Sequence, residues 1–165
     1  MLLFLDVISP IPEFFVIEDN KVIIQRKIVK NMNDKLSDNI FESYSVINKE
    51  LNTAQNIKKI AMAIGPGSYT SLRVGAAFIS AIKISKNLIF CPISIEDFFN
   101  FKSEHNKTEE YAIYICSAQN QNYLCTINEE KKIVYNKLED KNLTLPNKIK
   151  KIFYNSEKFN TNNKN

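Results

Sequence analysis

Glycines, a serine and a threonine crowd into the run Gly65-Pro66-Gly67-Ser68-Tyr69-Thr70, directly after the apolar stretch Ile60–Ile64 and just before a helical pattern. A strand, a tight glycine turn and a helix start, in that order, can do one of two things. Backbone N–H groups at the helix N-terminus can cradle a phosphate, or the turn can form a rigid scaffold corner. Gly65 and Gly67 supply backbone angles that other residues avoid, and Ser68 or Thr70 can cap the helix. No lysine follows the glycines as in a P-loop, and the G-x-G-x-x-G spacing is missing, so the corner fits better. Gly75 falls inside the helix, where glycine costs roughly 1 kcal/mol relative to alanine unless close packing requires it. Arg73, in the first turns, could pair with a carboxylate across an interface, meet RNA phosphate, or stand in solvent.

Little else can assemble a catalytic apparatus. His105 is the single histidine and sits in a polar stretch, so a site with two histidine ligands is impossible and a Ser/His/Asp or Cys/His arrangement has one residue to rest on. Cys91, Cys116 and Cys125 are odd in number and lack C-x-x-C spacing, which reads as buried, reduced thiols. Enzymes of the actin, hexokinase and heat-shock ATPase type open with a strand ending in Asp and a Gly/Ser/Thr-rich phosphate turn. Asp6 is in place, but Val7-Ile8-Ser9-Pro10-Ile11-Pro12 follows, with two prolines that cannot donate and no glycine. Cys116-Ser117-Ala118-Gln119 lacks even the aspartate. Nucleotide hydrolysis and a metal centre are therefore not expected.

The elements that position these residues follow from periodicity. Leu2–Val7, Phe14–Ile17 and Val22–Val29 read as strands, the last two around Glu18-Asp19-Asn20-Lys21, a weak hairpin signal without glycine. Leu36, Ile40, Tyr44, Ile47 and Leu51 recur on one helical face, with Phe41 and Val46 on its flanks, which predicts a second contact surface. Ile57–Ile64 reads as a strand and Tyr69–Lys86 as a helix with Leu72, Val74, Phe78, Ile79 and Ile82 on one arc. The small residues Ala76, Ala77, Ser80 and Ala81 lie opposite, either admitting another helix or simply favouring helix on a solvated face. Leu88–Ile93 is a further strand, and Ser94 can cap a short helix holding Phe98, Phe99 and Phe101. A linker over 102–110 then separates a complete first lobe, 1–101, from a strand-rich second lobe, 111–158, and a disordered tail, 159–165. In that second lobe Tyr111–Cys116, Tyr123–Ile127, Lys132–Asn136 and Ile149–Tyr154 read as strands.

With 165 residues, 44% of them apolar, a real core is expected, and a net charge of +4 is too mild to argue for RNA binding. The opening MLLFLDVISPIP has no basic n-region and is too short for a signal peptide or a membrane span, so a soluble cytoplasmic protein is expected.

GPGSYTSLRVGAA resembles the GPGSFTGLRIG signature of the TsaB (YeaZ) family, glycoprotease-like members of the actin-like ATPase superfamily. The β-β-β-α-β-α-β order of the first lobe and Pro92-Ile93-Ser94-Ile95-Glu96 fit the same pattern. The resemblance implies an α/β protein with an actin-like ATPase (ribonuclease H-like) lobe and a reduced second lobe of the same type. It also implies a non-catalytic subunit, needing no cofactor, that pairs with a TsaD-type catalytic paralogue. That enzyme transfers threonylcarbamoyl to N6 of adenosine 37 in tRNAs reading ANN codons. A TsaE-type ATPase would join the complex, tRNA would be met indirectly, and a homodimer would form when the partner is absent. The implied pairing surface draws on Ile40, Phe41, Tyr44 and Ile47 of the first helix and Thr70, Arg73, Val74, Ala77 and Ala81 of the second. The chain departs from the pattern at Val7-Ile8, where Thr-Ser or Thr-Ala is usual, and at Ser71, where glycine is usual. A small nucleotide-binding ATPase or phosphotransferase acting alone is the alternative.

Overall fold

A computed structural model describes residues 1–31, 33–51, 57–105, 110–117, 121–138 and 148–155. The chain opens with β1 (Leu2–Asp6), β2 (Glu13–Glu18) and β3 (Lys21–Lys27), followed by α1 (Leu36–Leu51), β4 (Lys59–Ala63), α2 (Tyr69–Lys86), β5 (Ile89–Ile93) and α3 (Ile95–His105). The remaining strands are β6 (Tyr111–Ile115), β7 (Asn122–Ile127), β8 (Ile133–Leu138) and β9 (Lys151–Tyr154). The first five make a sheet in the order β3-β2-β1-β4-β5, the last four a second sheet in the order β8-β7-β6-β9. In the first, β1 runs antiparallel to β2 and parallel to β4, and β4 runs parallel to β5. This is the ribonuclease H-like order of an actin-like ATPase lobe. The second sheet begins the same way, with β6 antiparallel to β7 and parallel to β9.

The hairpin between β2 and β3 closes without glycine because Asp19 and Asn20 take left-handed angles, φ 48° and 61°. Short polar side chains tolerate that region better than other non-glycine residues. In β1 the period-2 alternation sends Leu3 and Leu5, with Val7 beyond them, to the core against α1 and α2, while Phe4 and Ile8 turn to the opposite face. Both helices thus lie side by side on one face of the first sheet. Around Phe78 the core is aromatic: its ring centroid lies 5.5 Å from Phe14, 5.4 Å from Tyr44 and 5.2 Å from Phe41. On the other face a second cluster joins Ile8, Ala63, Ile95 and Phe99 to Tyr111, Ile113, Ile115 and Cys125, so the two sheets share a core.

Ser68 caps α2, its Oγ accepting from Ser71 N at 3.4 Å, and Asn87 ends the helix in a left-handed conformation. Ser94 and Asp97 cap α3 reciprocally: Ser94 N donates to Asp97 Oδ2 at 2.7 Å, and Asp97 N donates to Ser94 Oγ at 3.2 Å. The capped helix runs to His105, so the expected linker at 102–110 begins inside α3, and 106–109 lie outside the described residues. The expected tail at 159–165 also lies outside them.

Gly75 is required by close packing. A Cβ there would sit 2.7 Å from Met62 Sδ and 3.0 Å from Val7 Cγ1, both in the core under α2. Gly75→Ala is therefore expected to destabilise the fold by about 1–3 kcal/mol despite alanine's better helix propensity. Urea unfolding checks this; a stabilised variant would contradict it.

Candidate functional site

The Gly65–Ser68 turn joins β4 to α2 and is braced on one side by the loop after β1. Gly65 has φ 125°, which only glycine adopts readily, and the Gly65–Pro66 peptide bond is cis. A Cβ on Gly67 would meet Ile8 Cγ1 at 3.3 Å, so the loop after β1 lies against the glycine that an anion would have to approach. Ser68 N, buried, donates to Ser117 Oγ of the second lobe at 2.9 Å. Two features of a phosphate cradle are thus taken, the glycine surface by a side chain and a helix N-terminal donor by Ser117. The turn is a corner that also ties the lobes together.

Asp6 is likewise committed. Its Oδ1 accepts from Ile8 N at 2.8 Å and Ser9 N at 3.0 Å, and its Oδ2 accepts from the Ser9 hydroxyl. Asn155 then links that loop to the second lobe. Its Nδ2 donates to Ser9 Oγ at 3.1 Å and to Cys116 O at 3.0 Å, and its Oδ1 accepts from Cys116 N at 2.8 Å. The side-chain amide pairs with both backbone groups of Cys116 as a strand residue would. A third tie between lobes runs from Tyr135 OH to Glu96 Oε1 at 2.7 Å. That hydrogen bond holds the Glu96 carboxyl below its usual range.

Burial pushes the Cys125 thiol up to about 12 and raises that of Cys116, so neither is a ready thiolate. Among the described residues no three His, Cys, Asp or Glu side chains converge as a metal site would need. None of the helices described is long and apolar enough to cross a membrane.

The outer face of the helix pair is different. On α2, Thr70, Arg73, Ala77 and Ala81 are exposed and Val74 is half-buried. Thr70, Val74, Ala77, Ala81 and Ile84 follow each other at intervals of four, three, four and three, the spacing of a helix-packing seam. Ile84, 85% exposed, was not among the expected surface residues, although this interval leads directly to it. Beside the seam, Phe41 of α1 leans on Phe78 yet stays 55% exposed. The Arg73 guanidinium stacks 3.9 Å above the exposed Tyr69 ring, so it is held on the surface rather than drawn inward.

Ile40, Tyr44 and Ile47 require a correction. The structure buries all three against the sheet and α2, leaving Ile47 fully covered and Tyr44 8% exposed. The regular four-and-three spacing that marked them marks the core-facing stripe of α1, and the flank residue Phe41 is the one left outside. A charge at Tyr44 would therefore test folding rather than docking.

An α/β chain with these two sheets, a glycine turn serving as a corner and paired helices on one face has the fold of an actin-like ATPase. The sequence profile of the TsaD family, tRNA N6-adenosine threonylcarbamoyltransferase, matches residues 29–152, and the chain belongs to this family. Among solved structures it is similar to YeaZ from Pseudomonas aeruginosa, with a TM-score of 0.58 and 12% identity over 88% of this chain and 70% of that one. A second structure, described as an uncharacterized protein with similarity to peptidase YeaZ from Pseudomonas aeruginosa, gives a TM-score of 0.59 and 12% identity over 88% and 69% of the two chains. At this identity the likeness is one of fold. No curated protein matches the sequence.

Proposed function

We propose that this chain is a non-catalytic subunit of the TsaB (YeaZ) type, which pairs with a TsaD-type catalytic paralogue and activates it for N6-threonylcarbamoylation of tRNA. One observation carries the reading: the glycine corner is tied down by Ile8 and Ser117 while the seam on the helix pair stays open. Ile8 against Gly67, Ser117 on Ser68 N and the committed Asp6 carboxylate leave the chain poorly equipped for nucleotide chemistry of its own. The seam of Thr70, Val74, Ala77, Ala81 and Ile84, with Phe41 and Arg73 beside it, lets a matching helix pair approach closely. Docking there would build a four-helix contact of on the order of 1,600 Å², with Phe41 and Ile84 as its apolar anchors.

In this reading a TsaE-type ATPase joins the larger complex, tRNAs reading ANN codons are met through the catalytic subunit, and a homodimer forms on the same seam when the paralogue is absent. Co-expression with the tagged catalytic paralogue should recover this chain, and calorimetry with Mg-ATP should register no binding by this chain alone. Saturable micromolar binding of Mg-ATP, with no recovery of the chain, would favour the stand-alone ATPase or phosphotransferase instead.

A further inference from the structure

Between the two sheets lies a cavity of about 270 Å³, bordered by the ends of β1, β4, β6 and β9 and by α3. Its space corresponds to about nine waters at ~30 Å³ each. Phe4, Ile8, Ala63, Phe98, Ile113 and Phe153 supply apolar walls. Three of these six are phenylalanines, from β1, α3 and β9, and phenylalanine faces and edges favour offset or edge-on contact with another flat ring.

The polar groups around this cavity are unequal. Asp6 spends both carboxylate oxygens on Ile8 N, Ser9 N and the Ser9 hydroxyl. Asn155 spends its amide on Cys116 and Ser9. Lys102 is left. It is half-buried, and its Nζ lies 4.3 Å from the Phe153 ring centroid and 5.7 Å from that of Phe101. Among the described residues no carboxylate comes within ion-pair reach of it. An ammonium held over ring faces leaves donors free to meet an anion in the cleft. Apolar walls, few convergent polar groups and a lysine with no ion pair among the described residues are the makings of a small-molecule site.

We propose that this cleft binds a small aromatic carboxylate, with the ring system against the phenylalanine walls and the carboxylate on Lys102. The charge balance selects that class. A cationic ligand would meet Lys102, and a polyphosphate would bring several negative charges against one lysine. A neutral ring would leave the lysine without an anion. The site goes beyond the pairing role and is independent of it, because the helix seam lies on the opposite face of the first sheet.

The test titrates the full chain with 2-naphthoate by calorimetry, using 2-naphthalenemethanol as the neutral analogue of similar size, and maps both on backbone amide NMR shifts. The carboxylate is expected to saturate with a Kd below about 1 mM and to bind at least about fivefold more tightly than the alcohol. The shifted amides should include Phe4, Ala63 and Ile113. Lys102→Met, near the end of a helix and of similar length, should erase the preference for the carboxylate while leaving the alcohol's affinity unchanged. Lys102→Arg should retain the preference. Absence of saturation, equal affinity for the two probes, an undiminished preference in Lys102→Met, or shifts confined to other parts of the chain would each overturn the proposal. Loss of pairing with the catalytic paralogue would leave it standing.

Discussion

Ala77→Glu is expected to abolish recovery of the catalytic paralogue while leaving the circular dichroism spectrum of the isolated chain unchanged. Ala77 is exposed in the middle of the α2 seam, with Val74 before it and Ala81 after it. In the monomer a glutamate there stands in water and disturbs helix propensity by only a few tenths of a kcal/mol. Across a docked helix pair the same position is the small-residue seat that permits close approach, and a carboxylate would be buried without a partner. Burying such a charge costs about 2–5 kcal/mol, a weakening of roughly 30-fold to more than 1,000-fold. Phe41→Asp is expected to act in the same direction through loss of an anchor, because Phe41 is 55% exposed yet held against Phe78. Undiminished pull-down with both variants would show that the seam is the wrong surface.

Phe78→Ala is expected to lower stability by about 3–5 kcal/mol, the cost of emptying a fully packed aromatic position. Phe78 is 1% exposed, and its ring meets Phe14 of β2, Tyr44 and Phe41 of α1 at centroid distances of 5.2 to 5.5 Å. It is the point where both helices lock onto the sheet. A domain of this kind has about 5–15 kcal/mol in total, so the variant should unfold at markedly lower urea and lose pairing as a consequence. A shift worth less than about 1 kcal/mol would mean that neighbouring rings refill the space, and that the helix pair is held elsewhere.

Much of the fold was legible from local chemistry. The seven-element order of the first lobe follows from period-2 and period-3.6 patterns, and α2 runs from Tyr69 to Lys86 as its cap and glycine punctuation imply. The Asp19-Asn20 turn was a weaker signal, because it depends on two polar residues taking left-handed angles rather than on a glycine. The fate of the glycine turn depended on contacts remote in sequence. Ile8 reaches Gly67, and Ser117 reaches Ser68 N across 49 positions, and neither pairing leaves a periodic trace. The same holds for Asn155, whose amide completes a backbone pair with Cys116 and so reads in the sequence as one more polar residue in an Asn-rich chain.

The split between core and surface on α1 was hidden for a different reason. A hydrophobic stripe reports that a face is covered but not by what. Ile40, Tyr44 and Ile47 are covered by their own sheet and α2, whereas Phe41, one position round the helix, is left outside. On α2 the alanines gave no hydrophobic contrast at all, and only the burial of Gly75, Phe78, Ile79 and Ile82 identifies the opposite side as open. Ile84 stands on that open side and extends the seam to the last turns of the helix.

Size-exclusion chromatography with light scattering, on this chain alone and mixed with its catalytic paralogue, tests the pairing claim most directly. A single species with the summed mass of one copy of each, replaced by two separate peaks when the Ala77→Glu chain is used, is the predicted result. Two independent peaks for the unmodified proteins at micromolar concentration, with this chain at monomer mass in every run, would contradict it.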